Sequence, residues 1–212
     1  PGLVARLRPV GVDRGEVDRV AVAPVGDEIE QPHLLADLGH GIEVEAVAAD
    51  PAGAKRVADA GMEIGNHTWE HPNITAIPAE DVPAQFAKAN DAINAATGQT
   101  PKLWRPAGGL TDDAVNAVAA RYGLAAILWD VIPFDWINDS NIAATRYMLM
   151  SQIKPGSVVL FHDSYSSTVD LVYQFIPVLK ANGYHLVTVS QLLGPRAPGS
   201  VYGGRDNGPA VN

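Results

Sequence analysis

From about residue 50 onward, short apolar runs alternate with longer stretches that have helix start and stop signals. Asp50-Pro51 opens a helix through residue 60, with proline in the favoured first turn and Gly61 as the C-cap. Residues 62–64 read as a short buried strand. Pro78-Ala79-Glu80 opens a long helix to about residue 96, stopped by Gly98. Leu103-Trp104 is a short strand entering a Pro/Gly loop. Thr111 caps a helix to residue 122, with Asp112 and Asp113 in its positive first turn. Then come a strand at 124–129, a helix at 142–153, an apolar β-branched strand at 157–161, a helix at 168–182 and a strand at 185–189. Strands alternating with helices of this length imply parallel βα units. The expected fold class is α/β, a distorted or incomplete TIM-like (β/α) barrel, with a doubly wound open sheet as the alternative.

Residues 1–49 differ from the rest. They contain no Phe, Tyr, Trp, Ser, Thr, Asn, Lys or Met, and strands favour aromatic and β-branched residues. Apart from Ile29 and Ile42, every one of them can be encoded by a codon starting with G or C. A wrong reading frame in a GC-rich gene gives such a bias, and a low-complexity Ala/Val/Gly/Glu segment is the competing explanation. Residues 194–212, rich in Gly, Pro and polar residues, read as a flexible extension. The expected organisation is an atypical segment at 1–49, a catalytic domain at 50–193 and a tail at 194–212.

Composition narrows the chemistry. The chain has 212 residues, enough for one core, and a net charge of −9. That charge argues against a nucleic-acid partner, because phosphate contacts need clustered Lys and Arg. No apolar run is long enough to span a membrane. Cysteine is absent, which excludes thiol catalysis, zinc–thiolate sites and disulfides. The chain begins with Pro1 and shows no signal peptide, so an export signal or anchor is expected upstream. No protein partner is implied.

The candidate chemistry gathers at strand ends. His67 and His71 lie four residues apart, a spacing that places two imidazoles on one face of a helical turn. Two histidines so spaced can also be surface residues or core residues satisfied by backbone. Arg105, Asp130, Asp135 and His162 each follow a predicted strand. Each alone is a weak signal, but parallel α/β folds keep their chemistry at this end of their strands. Asp130 and Asp135 could also serve as the two carboxylates of a glycosidase, which leaves the histidines without a role.

The set His67-Thr68-x-x-His71-Pro72, Arg105-Pro106-x-Gly108, Asp130-x4-Asp135-Trp136 and Leu160-x-His162 resembles the motifs of the NodB-type polysaccharide deacetylases, carbohydrate esterase family 4. The stretch from Asp130 to Ser140 is similar to the secreted peptidoglycan deacetylases of mycobacteria. The resemblance implies a NodB-type barrel and a divalent metal on His67 and His71, zinc first, with cobalt, nickel or manganese as alternatives. It implies His162 as the general acid, Asp135 as the carboxylate that tunes it, and Arg105 as the arginine that fixes a catalytic aspartate. Trp136 and Leu160 would wall a pocket for the acetyl methyl group, with Pro106 and Gly108 lining the groove. Asp130 would orient loops. The implied partner is a cell-wall glycan, the implied reaction release of acetate from peptidoglycan N-acetylglucosamine, and the implied location extracytoplasmic.

Two features depart from the family. Ala107 and Gly109 replace a proline and an aromatic–glycine pattern, which loosens one wall of the groove. The Asp-Asp-Gly of the first family motif, which carries the general base and a third metal ligand, has no counterpart; the sole Asp-Asp pair, Asp112-Asp113, opens a helix. The nearest placement is the apolar run 20–25 followed by Gly26-Asp27-Glu28. The alternatives are a catalytically impaired carbohydrate-binding relative, or a deacetylase of chitin oligomers or acetylxylan.

Overall fold

Parallel pairing organises every described strand. A computed structural model describes residues 19–22, 44–138, 141–163 and 165–203. In one sheet, β1 (Arg19–Val22) lies between β4 (Val158–Val159) and β5 (His185–Val187), with Ala21 opposite Val158 and Val187. In the other, β3 (Ala125–Ile127) lies between β2 (Leu103–Trp104) and β6 (Val201–Tyr202). Parallel bridges at Asn66–Trp104 and Val131–Val159 extend the two sheets.

Side chains along β2, β3 and β4 alternate between a shared inner cluster and clusters that face helices, as a period of two requires. Leu103, Ala125, Ile127, Val158 and Leu160 join Trp129, Ile132 and Leu193 in a cluster drawn from both sheets. The intervening residues face helices. Trp104, Leu124 and Ala126 pack with Phe86 and Val115, from α3 (Val82–Thr97) and α4 (Asp113–Arg121). Val159 packs with Leu149, Phe175 and Leu179, from α5 (Ile142–Gln152) and α6 (Ser166–Ala181). A shared inner core with helices outside is the layering of a (β/α) barrel, and burial of β2, β3 and β4 on both faces accounts for their continuously apolar sequences. The barrel is distorted and incomplete, as expected, and the open-sheet alternative is set aside. Two further helices, α1 (Val44–Ala49) and α2 (Pro51–Asp59), pack on α3 through Val47, Val57, Ala89 and Ile93.

Four local expectations are corrected. Residues 62–64 form no ladder, because the Gln99 side chain takes the place of a strand partner: it accepts from the Ile64 N–H and donates to the Met62 carbonyl. The helix expected from Pro78 starts at Val82, and residues 78–81 form a turn closed by Asp81 N–H to the Pro78 carbonyl. Asp112, not Thr111, caps α4, its carboxylate accepting from the Val115 N–H at 2.8 Å. The stretch after Gly194, expected to be an extension, supplies β6, which lies beside β3 and is steadied by Arg196 stacked 4.2 Å over the Tyr202 ring. A short helix α7 (Val189–Leu193) precedes it, closed by a Thr188–Gln191 capping box. Residues 1–49 contribute β1 and α1; Gly26-Asp27-Glu28 lie outside the described residues.

Candidate active site

His67 follows the Asn66 bridge, Arg105 follows β2, Asp130 and Asp135 come after β3, and His162 comes after β4. Because all these strands are parallel, their C-terminal ends share one face of the barrel. The structure brings His67 and His71 together with ring centroids 4.7 Å apart, edge to face. They do not sit on a helical turn. Residues 67–71 are irregular, with Thr68 and His71 at positive φ, 67° and 52°. The spacing thus signalled convergence correctly, but a strained loop achieves it.

His67 Nδ1 lies against the Arg105 backbone carbonyl. A carbonyl only accepts, so Nδ1 carries the proton and Nε2 holds a free lone pair. His67 is 9% exposed, and burial pushes its pKa well below the usual value; the nearby Arg105 charge adds to this. A neutral imidazole with its tautomer fixed by a backbone group fits a divalent metal. His71 is exposed and supplies the second ring. Among the described residues, no third His, Asp or Glu joins them in a ligand group.

The second half of the site is built around Asp135, which is 1% exposed. Its Oδ1 accepts from His162 Nδ1 at 3.0 Å. Its Oδ2 accepts from the His162 backbone N–H at 2.6 Å and from Thr168 Oγ1 at 3.0 Å. The imidazole is therefore gripped at its Nδ1 edge, with Nε2 turned away from the carboxylate. Trp136 packs edge-on against the His162 ring at 4.9 Å, and Phe134 supports Trp136 at 5.4 Å. Leu160 belongs to the inner cluster against which Trp136 packs, so the two expected pocket walls share one apolar surface.

Burial lowers the Arg105 pKa, and the Asp163 and Asp135 charges oppose that. No ion pair to Arg105 occurs among the described residues. Asp163 has its carboxyl pushed up by burial and pulled back by its own backbone, Arg105 and His162. Pro106 is buried, whereas Gly108 is exposed at φ 60° within a single 3-10 turn, Ala107–Gly109. Gly109 cannot be replaced freely, since a Cβ there would stand 3.1 Å from the Trp129 ring. Asp130 braces the start of β4, accepting from the Val158 N–H at 2.6 Å and from Ser157 Oγ at 3.2 Å. With Asp135 wrapped by three donors and Asp130 tied to backbone, the two-carboxylate glycosidase reading loses its acid and base.

Sequence reasoning missed Gln85, Thr168 and Asp163. Asp163 adjoins His162 and could have been suspected. Gln85 and Thr168 lie inside helices, distant in sequence from the groups they touch, and carry no motif.

The profile of the polysaccharide deacetylase family matches residues 24–127. The chain is 36% identical over 138 residues to the peptidoglycan-N-acetylmuramic acid deacetylase PdaC of Bacillus subtilis, covering 65% of this chain and 28% of that protein. The structure of T48 deacetylase with substrate superposes with a TM-score of 0.76 at 30% identity, covering 91% of this chain and all of that one. A carbohydrate esterase family 4 pseudoenzyme from Bacillus anthracis, BA3943, superposes with a TM-score of 0.69 at 26% identity, covering 83% of this chain and 65% of that one. The chain belongs to the polysaccharide deacetylase family, NodB homology type, carbohydrate esterase family 4.

Proposed function

We propose that the chain is a metal-dependent N-deacetylase acting on a cell-wall polymer of N-acetylglucosamine, outside the cytoplasm. The observation that carries this reading is the pairing of two differently prepared histidine sites on one barrel face. His67 is buried, neutral and aimed at His71, and His162 is braced by a buried carboxylate. His67 and His71 would hold the ion, zinc by the preference of imidazole, with cobalt, nickel or manganese as the alternatives. When bound, the metal supplies Lewis-acid polarisation of the acetamide carbonyl. His162 Nε2 donates a proton to the departing amine, while Asp135 holds the ring and offers a counter-charge to its protonated form. Trp136 and Leu160 receive the acetyl methyl group, and Pro106 and Gly108 line the path of the glycan. No helix among the described residues is long and apolar enough to cross a membrane.

Acetate release from peptidoglycan and from chitin oligomers tests the reading. Activity abolished by a chelator and restored by zinc supports it, and restoration by other divalent ions ranks the alternatives. A folded chain that releases no acetate from any N-acetylglucosamine polymer overturns it, and release from acetylxylan alone selects the acetylxylan alternative.

A specific observation favours a second reading, a carbohydrate-binding relative with impaired catalysis. Among the described residues Arg105 has no ion pair and the two histidines have no third protein ligand, and the sequence has no Asp-Asp-Gly. Glycan pull-down without acetate release, unchanged by His162→Ala, would select it.

A further inference from the structure

The loop that carries His67 and His71 holds a conformation its sequence does not favour. Thr68 and His71 both occupy positive φ, a region that β-branched residues in particular avoid. Such a backbone persists only where its surroundings over-determine it. The Asn66–Trp104 bridge and the Arg105 carbonyl anchor the start of the loop, and the support beyond them comes from one helix, α3. Gln85, 6% exposed, presents its side-chain amide to the loop. Its Oε1 accepts from the backbone N–H groups of Trp69 and Glu70, each at 3.0 Å, and its Nε2 donates to the Glu70 carboxylate at 2.7 Å. Asn66 fixes the entry to the loop. Its Oδ1 accepts from the Thr68 N–H at 2.8 Å, and its Nδ2 donates to the Phe86 carbonyl at 3.1 Å and to Asn90 Oδ1 at 2.8 Å, both on α3. Two of the three residues between the histidines therefore direct their N–H groups to one buried glutamine.

We propose that Gln85, working through Glu70 and the loop backbone, is a positioning residue of the metal half-site, a clamp that holds His67 and His71 converged before an ion arrives. The inference rests on the reading of His67 and His71 as metal ligands. Without the clamp, two loop N–H groups lose their acceptor and the positive-φ turn is free to relax. An incoming ion must then gather the two rings itself, and affinity falls. Groups that support metal ligands without touching the ion typically contribute about 10–100-fold to affinity.

Titration calorimetry of the full chain with Zn²⁺ and Co²⁺ tests this without any need for turnover. Gln85→Leu is expected to weaken binding by about 10–100-fold. Gln85→Glu alone sets a second carboxylate against Glu70 and also binds weakly. The pair Gln85→Glu with Glu70→Gln keeps the acceptor for both loop N–H groups and reverses the third hydrogen bond, so binding returns close to that of the unaltered chain. Melting of the metal-free variants identifies any that fail to fold, and the swapped pair against Gln85→Glu then carries the comparison. No binding by the unaltered chain overturns the metal reading itself. Binding by the unaltered chain that is matched by folded Gln85→Leu, or a swapped pair as weak as Gln85→Glu, overturns the clamp.

Discussion

His67 and His162 are both imidazoles at strand ends, and both are tied at Nδ1 to an oxygen, yet their surroundings differ. His67 gives its proton to a neutral backbone carbonyl and is buried, so the ring is held uncharged and Nε2 stays a lone-pair donor. His162 sets its Nδ1 against a carboxylate and is 32% exposed, so its ring has both an acidic partner and contact with solvent. The choice of oxygen behind Nδ1, together with depth, is what separates the proposed ligand from the proposed acid. The supports differ in kind as well. The N–H groups between His67 and His71 are held by the Gln85 amide on α3, whereas one carboxylate, Asp135, holds His162 by both its ring and its backbone N–H and is itself backed by Thr168 on α6.

The largest way to break the comparison is to remove one histidine from each half. His162→Ala is expected to lower the rate of acetate release by about 10²–10⁴-fold, the usual worth of a general acid, while leaving zinc affinity intact. His67→Ala is expected to abolish tight zinc binding. Calorimetry and acetate assays on both variants would show whether the halves are separable, and loss of zinc binding in His162→Ala would contradict the division.

A subtler test is Thr168→Val, which keeps the shape and removes the hydroxyl behind Asp135. One hydrogen bond to a charged group is worth about 1.5–3 kcal/mol, so a fall in kcat of about 10–100-fold is expected with KM little changed. Thr168→Ser should recover most of the rate. Equal kcat in the valine and serine variants would remove Thr168 from the acid half.

The smallest expected effect is on stability against pH in the metal-free protein. Burial depresses the His67 pKa below 6.5, so on acidification the unfolded chain takes up that proton first. The stability this provides is present above about pH 6.5 and falls below it, by at most about 1.4 kcal/mol per pH unit, until the folded-state pKa is reached. Asp163 acts with the opposite sign. Its carboxyl is raised from 3.8, so the folded form keeps its proton and stability declines as pH rises through that lower window. His67→Asn should flatten the melting-temperature slope between pH 7 and 5 and leave the Asp163 contribution in place. An unchanged slope would show that His67 is not held neutral by burial.

Much of this site was legible as spacing along the chain. Arg105, the Asp135-Trp136 step and His162 each come after an apolar strand, the histidine pair comes after a segment that read as one, and the parallel βα alternation implied that they share one face. What spacing could not convey was how the histidines converge. Four residues suggested a helix, but a helix satisfies its own N–H groups, and this loop has Gln85 and Asn66 for that purpose. Residues 62–64 looked like a strand because Met62 and Ile64 alternate with Glu63 ahead of Gly65, yet the Gln99 side chain, 35 positions from Ile64, binds their backbone instead.

The sequence by itself determined the alternation of strands and helices between residues 103 and 187 and which residues stand at the strand ends, because these follow from local patterning and the geometry of parallel units. It also recorded the absence of an Asp-Asp-Gly motif. Only the tertiary structure decided the tautomer of His67, the threefold grip on Asp135, the bracing role of Asp130 and the place of β6 beside β3. Each of those depends on hydrogen bonds between groups far apart in the chain, and burial and partner choice at that range are set by packing, not by neighbours in sequence.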